Sequence, residues 1–479
     1  MDNWLPSSVA QKRAGRALVD RVPGKMLALF LVFFLTVVGL QWLAGAYQSE
    51  FGGSSQDEGA HYITGLMVRD YIANLFPAPP MQYAENYYLH YPHVALGHWP
   101  PFFYLVQAAW TVLFSPSRPS VLLLMAIFPA LLALTLYKAT QGEFGPKAGM
   151  ALGVLLILLP LVQEESSRVM AEHLLALLSF WAMLSFSQYL ETEKGQYAVV
   201  FGVLAALAIL TKGNAMALAL VPPIALVLSR RCRLLKQPSF WYPAVIVLIL
   251  CGPWYFLTLP MVQDAFTEPS WELTRRAFAF CFQVLVGSIG PTLSLLVLIG
   301  FVVRICPPFR AQRVPGRWAA AGALVVSVWI FHALVPLDGR KDTRYMITAL
   351  PPLLMFLASG MMWLAARLPL SGLSVQRRAV GLALLVTLIF ATETFKLHRK
   401  EFTGFAGVAH CLLSKPELQN AVFLISSDTS GEQMFISEVA MRESRPGHII
   451  LRGSKVLASS TWTSAQYRLL YRTPEEVRN

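Results

Sequence analysis

The chain has 479 residues, 55% of them hydrophobic and only 14% charged, with a mean hydropathy of +0.52. Soluble domains carry roughly 25% charged residues. The sequence also holds many apolar runs near the ~20 residues that cross about 30 Å of hydrocarbon, which excludes a soluble globular protein. Backbone polar groups in lipid must be satisfied within their own segment, so the expected fold class is an all-α polytopic membrane bundle. The net charge of +12 falls mostly in short loops between apolar runs, where it sets orientation and argues against a nucleic-acid partner.

In chain order, Lys12, Arg13, Arg16, Arg21 and Lys25 precede the first apolar run, which places the N-terminus in the cytoplasm. Span 1 covers about 26–46; Ala44-Gly45-Ala46 mimics a cleavage site, but the run is too long for a signal peptide and is read as an uncleaved span. An external loop follows through about 117, with Asp57, Glu58, Asp70 and Glu85 against Arg69. Within it, about 101–115 reads as a helix too short to cross, lying in the interface with Phe102, Phe103, Tyr104 and Trp110. Spans 2 to 6 are expected at about 119–137, 148–163, 173–190, 196–210 and 214–229. Spans 7 to 11 are expected at about 241–259, 283–303, 318–336, 345–366 and 379–396. A second external loop runs from span 7 to about 282. This count of eleven puts each dense basic loop on one side: Arg230, Arg231, Arg233 and Lys236, then Arg304, Arg310, Arg313 and Arg317, then Arg367, Arg377 and Arg378. Asp338 to Arg344 falls on the other.

From about 397 the pattern changes. Residues 421–426 and 448–452 read as strands and 431–443 as an amphipathic helix, a small extracytoplasmic α/β domain (397–479) beside a transmembrane domain (1–396). Thr473-Pro474 followed by acids looks like a helix start with no body behind it, so a cut chain is expected there. Cys232, Cys251, Cys281, Cys306 and Cys411 show neither metal nor disulfide spacing.

On this topology Asp57, Glu58, His61, Tyr62, His98, Arg168, Glu172, Lys212 and the segment from Arg340 to Tyr345 share the outer face. An acceptor hydroxyl must lose a proton to a carboxylate, and a leaving phosphate needs fixed positive charge. One base with one or two cations therefore suffices for sugar transfer from a phospholipid-linked donor. Each residue also has a plainer reading: Asp57 and Glu58 as a solvated loop or helix start, Lys212 as a snorkelling lysine, Arg344 and Tyr345 as an interfacial anchor. Glu172 also fits a helix cap, and His61, His98 and His173 packing. A transporter or flippase of a lipid-linked sugar would favour ionisable groups near the midplane and paired halves; neither pattern is present. A non-catalytic scaffold binding through the C-terminal domain would tolerate loss of Asp57, Lys212 and Arg344 together.

Five segments carry a resemblance: SSQDEGAHY, HWPPFFYLVQAAWTVLF, SSRVMAEHLLALLSFWAM, ALAILTKGNAMAL and DTRYMITALPPLL. In this order and spacing the chain resembles the GT-C membrane glycosyltransferases, in particular the protein O-mannosyltransferase and aminoarabinose-transferase type, over roughly residues 20–396. The resemblance implies a helical bundle with juxtamembrane helices and a cavity at the outer face of the cell membrane. It implies a polyprenyl-phosphate sugar donor and generally inverting transfer to an acceptor in a protein, lipid or glycan. Asp57 would be the base, Glu58 its neighbour, and Glu172 the acid of the second external loop, where the family often has Asp. Lys212, Arg344 and Tyr345 would hold donor or phosphate, with Arg168 and Tyr62 beside them. The family often has Lys before the paired prolines; here Trp99 stands there, and His98 is the substitute. No cofactor is required by this type, although Asp57, Glu58 and Glu172 have the chemistry of a hard-cation site.

Overall fold

The computed structural model describes residues 23–53, 56–262, 268, 270–306, 313–335, 342–369, 372–397, 399–459, 468–471, 473 and 475–476. Lys12, Arg13, Arg16, Arg21, Arg310, Asp338, Arg340 and Pro474, parts of the second external loop and the last three residues lie outside them.

Each expected span falls on a helical segment. Long apolar helices are α1 (Pro23–Leu43), α5 (Arg118–Phe144), α8 (Glu172–Thr192), α11 (Pro238–Val262), α14 (Gly316–Leu334), α15 (Leu350–Ala365) and α16 (Val375–Glu393). Before α5 come α2 (Gln56–Ala73), α3 (Pro80–His90) and α4 (Phe102–Leu113), and between α5 and α8 lie α6 (Pro146–Leu158) and α7 (Pro160–Ser166). The rest of the bundle is α9 (Gly195–Thr211), α10 (Val221–Ser229), α12 (Trp271–Ile289) and α13 (Pro291–Ile305).

Among the described residues seven helices are long and apolar enough to cross a membrane, or nine if each of two bent pairs counts as one span. The expected count of eleven is reached only by adding two shorter apolar segments, Gly195–Thr211 and Gly213–Ser229. Two expected spans are not straight. Span 3 bends by 62° between α6 and α7, and span 8 by 105° between α12 and α13. The cause is local: Pro160 and Pro291 begin new helices and cannot donate back into the preceding turn. Gly290 supplies the positive φ, 82°, that the second corner needs. Helix α12 starts at Trp271, inside what the hydropathy pattern reads as a loop. The helix at 102–113 stays short, as expected of a segment that does not cross.

Charge sorts the two ends of the bundle. Glu172 opens α8 and Glu191 lies at its other end, about 30 Å away, where it pairs with Arg231 at 3.2 Å. Glu143, at the end of α5, pairs with Arg304 at 2.5 Å and Arg317 at 2.8 Å. The loops read as cytoplasmic thus meet at the end opposite Glu172.

The C-terminal segment forms α17 (Phe405–Leu413), β1 (Val422–Ile425), α18 (Thr429–Arg442) and β2 (Ile449–Arg452), with β1 and β2 parallel. Asp428 caps α18 by accepting from the Gly431 amide at 2.7 Å. Thr473 likewise accepts from the Glu476 amide at 3.3 Å, the expected cap. The segment is bound to the first loop. Arg445 pairs with Asp70 on α2 at 2.7 Å, Glu438 pairs with Arg118, and Gln433 donates to the Gly52 carbonyl at 2.6 Å. Glu50 accepts from the Gly404 and Ala406 amides at 3.1 and 3.2 Å, placing a carboxylate at the start of α17. Helix α18 is therefore buried although it carries Glu432, Gln433, Ser437 and Glu438.

Helices α13 and α15 cross with backbones touching. A Cβ at Gly300 would lie 1.9 Å from the Phe356 carbonyl oxygen, and one at Gly360 would lie 1.9 Å from that of Leu296. Such small-residue crossings pack membrane helices closely. Gly300→Leu should cost at least about 1–3 kcal/mol by overpacking, read as a lower midpoint of thermal unfolding in detergent. Gly142→Ala, where a Cβ meets nothing within 4 Å, should not lower it.

Candidate active site

Four separate segments bring their charges together at one end of the bundle. Asp57 lies in the first turn of α2. Glu172 is the first residue of α8, where an acid suits the helix N-terminus. Lys212 sits in extended backbone (φ −159°, ψ 136°) between α9 and the 3-10 turn Gly213–Leu220, so the break itself turns the side chain off the helix. Arg344 lies in the 3-10 turn Thr343–Ala349 that leads into α15.

Glu172 accepts from Lys212 Nζ at 2.5 Å and lies 3.4 Å from Arg344 Nε. Arg344 also pairs with Asp57 and, at 2.8 Å, with Asp342. Asp342 caps its turn by accepting from the Arg344 amide at 3.1 Å. The Tyr345 ring lies 5.5 Å from Lys212 Nζ and 5.8 Å from the Arg344 guanidinium carbon, on the border of cation–π contact. The side chains of Glu172 and Lys212 are 2% and 8% exposed, whereas Asp57 is 30% exposed. Asp57 and Asp342 are the carboxylates of this cluster that reach the surface, and Asp342, 40% exposed, is committed to capping the Arg344 turn. Burial pushes the Asp57 carboxyl up, but the Arg344 guanidinium and the Lys212 ammonium outweigh that and hold it below its ordinary value. It stays charged at neutral pH.

The other expected residues go elsewhere, and helix geometry explains two of them. Successive residues on a helix diverge by about 100°, so Glu58 points away from Asp57. Its oxygens accept from the Gly52 amide at 2.9 Å and the Val169 amide at 3.1 Å, with Lys400 Nζ 3.8 Å away. Glu58 ties down the loop that starts α2. Tyr62, five residues after Asp57 and about 140° around the helix, donates to the Pro116 carbonyl at 2.7 Å. Arg168 pairs with Glu164 and Glu165 at 2.6 and 2.7 Å. His98 is half-buried in the turn before α4, next to Trp99. Of the three acids with hard-cation chemistry, Asp57 and Glu172 share Arg344 while Glu58 is held apart by backbone amides. Among the described residues, no three His, Cys, Asp or Glu are grouped to hold a metal ion.

Two residues of the cluster were placed on the outer face by the sequence without being given a role there. Asp342 is one acid in a polar stretch and gains its role from the turn it caps. His61 follows Asp57 by four residues, the spacing that shares a helix face, and this was the available signal. Its ring is buried, stacks on Trp99 at 4.1 Å and meets the Tyr104 hydroxyl through Nδ1 at 2.8 Å.

The sequence model of the dolichyl-phosphate-mannose-protein mannosyltransferase family matches residues 98–256. No curated protein matches the chain. Among solved structures, ArnT from Cupriavidus metallidurans bound to undecaprenyl phosphate is similar at 14% identity and a TM-score of 0.58, over 88% of this chain and 85% of that one. The Archaeoglobus fulgidus oligosaccharyltransferase tethered with an acceptor peptide gives 14% identity and a TM-score of 0.55, over 87% of this chain and 63% of its own. AglB from the same organism, in complex with an inhibitory peptide and a dolichol-phosphate, gives 13% and 0.53, over 89% and 64%. At these identities the likeness is one of fold.

The ion pairs predict two outcomes. Glu172→Gln leaves two buried cations without their shared partner, and should cost about 3–5 kcal/mol, seen as a lower unfolding midpoint. Arg344→Gln removes a charge that holds the Asp57 carboxyl down. The stability gap to the wild-type protein should therefore widen as pH rises through the carboxylate range, about 3.9 for an ordinary Asp. In an Asp57→Asn background this pH dependence should shrink, leaving the part that comes from Asp342 and Glu172. Unfolding midpoints of the four proteins across this range test the linkage, and a gap independent of pH would contradict it.

Proposed function

We propose that this polytopic membrane protein, which has the GT-C fold of the mannosyltransferase and ArnT type, moves a sugar from a polyprenyl-phosphate donor to an acceptor oxygen at the outer membrane face. The observation that carries the reading is the convergence, from four segments, of an accessible carboxylate not used to cap a turn with two cations: Asp57 beside Arg344, and Arg344 beside the Glu172–Lys212 pair.

The chemistry needs little more. The acceptor O–H approaches Asp57, its oxygen attacks the anomeric carbon, and the bond from that carbon to the phosphate oxygen breaks. The proton goes to the Asp57 carboxylate and the electron pair leaves with the lipid phosphate. Lys212 and Arg344 stabilise that departing charge, which is why no general acid is required. Arg344 is paired with Asp57, so an arriving phosphate competes with the carboxylate for the guanidinium. Donor binding then frees the base for the acceptor, which delays activation until the leaving group is in place. Glu172 keeps both cations in position.

The relatives' printed ligands, undecaprenyl phosphate and dolichol-phosphate, support a lipid-linked donor of this class. The acceptor is a protein hydroxyl, a lipid phosphate or a glycan. The cluster lies at the end opposite the basic loops, in keeping with a cytoplasmic N-terminus, an extracytoplasmic site and a C-terminal segment beside it.

Detergent-purified protein incubated with radiolabelled polyprenyl-phosphate sugars and a membrane extract as acceptor should move label off the lipid. Asp57→Asn should slow that transfer by about 10²–10⁴-fold, the usual worth of a general base, without lowering lipid binding to the same degree. Full activity in Asp57→Asn would reject the base, and no release from any lipid-linked sugar would reject the function.

A further inference from the structure

His61 is a buried side chain with one nitrogen engaged and one idle. It is 1% exposed, its Nδ1 meets Tyr104 Oη at 2.8 Å, and its Nε2 has no hydrogen-bond partner. The ring is clamped: Trp99 stacks on its face at 4.1 Å, and Phe103 meets it edge-on at 5.5 Å. Buried polar atoms are nearly always paired, and a ring held this firmly has no freedom to turn Nε2 toward another partner within the protein.

Hydrogen-bond accounting fixes the tautomer. Tyr104 is also fully buried, and His61 Nδ1 is the acceptor within reach of its hydroxyl proton. If Nδ1 carried the proton, the phenol hydrogen and the Nε2 lone pair would both be stranded. If the phenol donates to Nδ1, the only group left over is one Nε2–H. Burial, reinforced by Lys212, holds the imidazole pKa down to about 3, so the ring is a neutral donor.

His61 sits on the Asp57 side of α2. His61 lies about 40° around α2 from Asp57, and helical side chains lean back toward the preceding turn, here the turn that carries Asp57. The charged groups His61 interacts with most strongly are Lys212, Asp57, Glu172 and Arg344. A neutral N–H beside two cations is suited to an anion, whereas a protonated imidazole there would be repelled.

We infer that His61 is a third phosphate-contacting residue, donating Nε2–H to an oxygen of the lipid carrier's phosphate, with Tyr104 and Trp99 as the positioning residues that set its tautomer and plane. This rests on the reading of the cluster as a lipid-phosphate site. Hydrogen bonds to a charged partner imply an effect on the order of tenfold or more in affinity.

The test measures binding of undecaprenyl phosphate and of undecaprenol, which lacks the phosphate, to the full chain in detergent. His61→Phe keeps a ring against Trp99 and removes the donor; it should weaken undecaprenyl phosphate by on the order of tenfold and leave undecaprenol unchanged. His61→Gln, which retains an N–H, should recover part of the loss, and Tyr104→Phe, which frees the tautomer, should show part of it. A purely structural role would weaken both lipids alike, and that result would overturn the inference, as would equal phosphate affinity in wild type and His61→Phe. If Arg344→Gln loses undecaprenyl phosphate while all three His61 and Tyr104 variants keep it, the inference falls and the proposed function stands. If the wild-type protein does not distinguish the phosphate from the alcohol, both fall.

Discussion

A single buried carboxylate, Glu172, lies between two cations that arrive from different parts of the chain. Lys212 comes from the break after α9 and Arg344 from the turn before α15. Lys212 at that depth needs a close partner to repay the cost of desolvating its charge, and Arg344 has Asp57 and Asp342 besides Glu172. With Glu172 in place, both are held at fixed points beside the accessible Asp57. The fold around the cluster serves this convergence. Helix α8 begins at the acid, α9 stops where the lysine must leave the helix, and the 3-10 turn capped by Asp342 delivers the arginine.

Helix α2 carries Asp57, and the C-terminal segment braces it. Arg445 on Asp70, Gln433 on the Gly52 carbonyl, and Glu58 on the Gly52 and Val169 amides tie down the loop, the start and the end of that helix. Expected as a small α/β domain, the segment has its central helix α18 buried, and Glu432, Gln433 and Glu438 on it reach partners in its own elements, in the first loop and at the start of α5. It acts on the site through the position of α2.

Much of this was legible in the sequence. Apolar run length located most of the helical segments within a few residues, because hydrocarbon thickness acts locally; the helix that starts at Trp271 is the exception. Asp57, Glu172, Lys212 and Arg344 were found for a related reason: polar residues at the ends of apolar runs are costly and therefore conspicuous. The corners at Leu159-Pro160 and Gly290-Pro291 were read as continuous spans because hydropathy carries no direction. Glu58 and Tyr62 were grouped with Asp57 by proximity in sequence, whereas the helix turns them to other faces; the same periodicity favours His61. Asp342, the burial of α18 and the idle Nε2 of His61 are products of tertiary packing and have no local signature.

The central claim is that Asp57, Lys212 and Arg344 form one reaction centre around a lipid phosphate. A cryo-EM structure of the protein with a non-cleavable polyprenyl-phosphonate sugar tests it most directly. The account predicts the phosphonate oxygens within hydrogen-bond distance of Lys212 Nζ and the Arg344 guanidinium, with Asp57 facing the anomeric carbon from the side opposite the phosphonate. A headgroup bound elsewhere on the bundle, with the Asp57–Arg344 pair undisturbed, would contradict it.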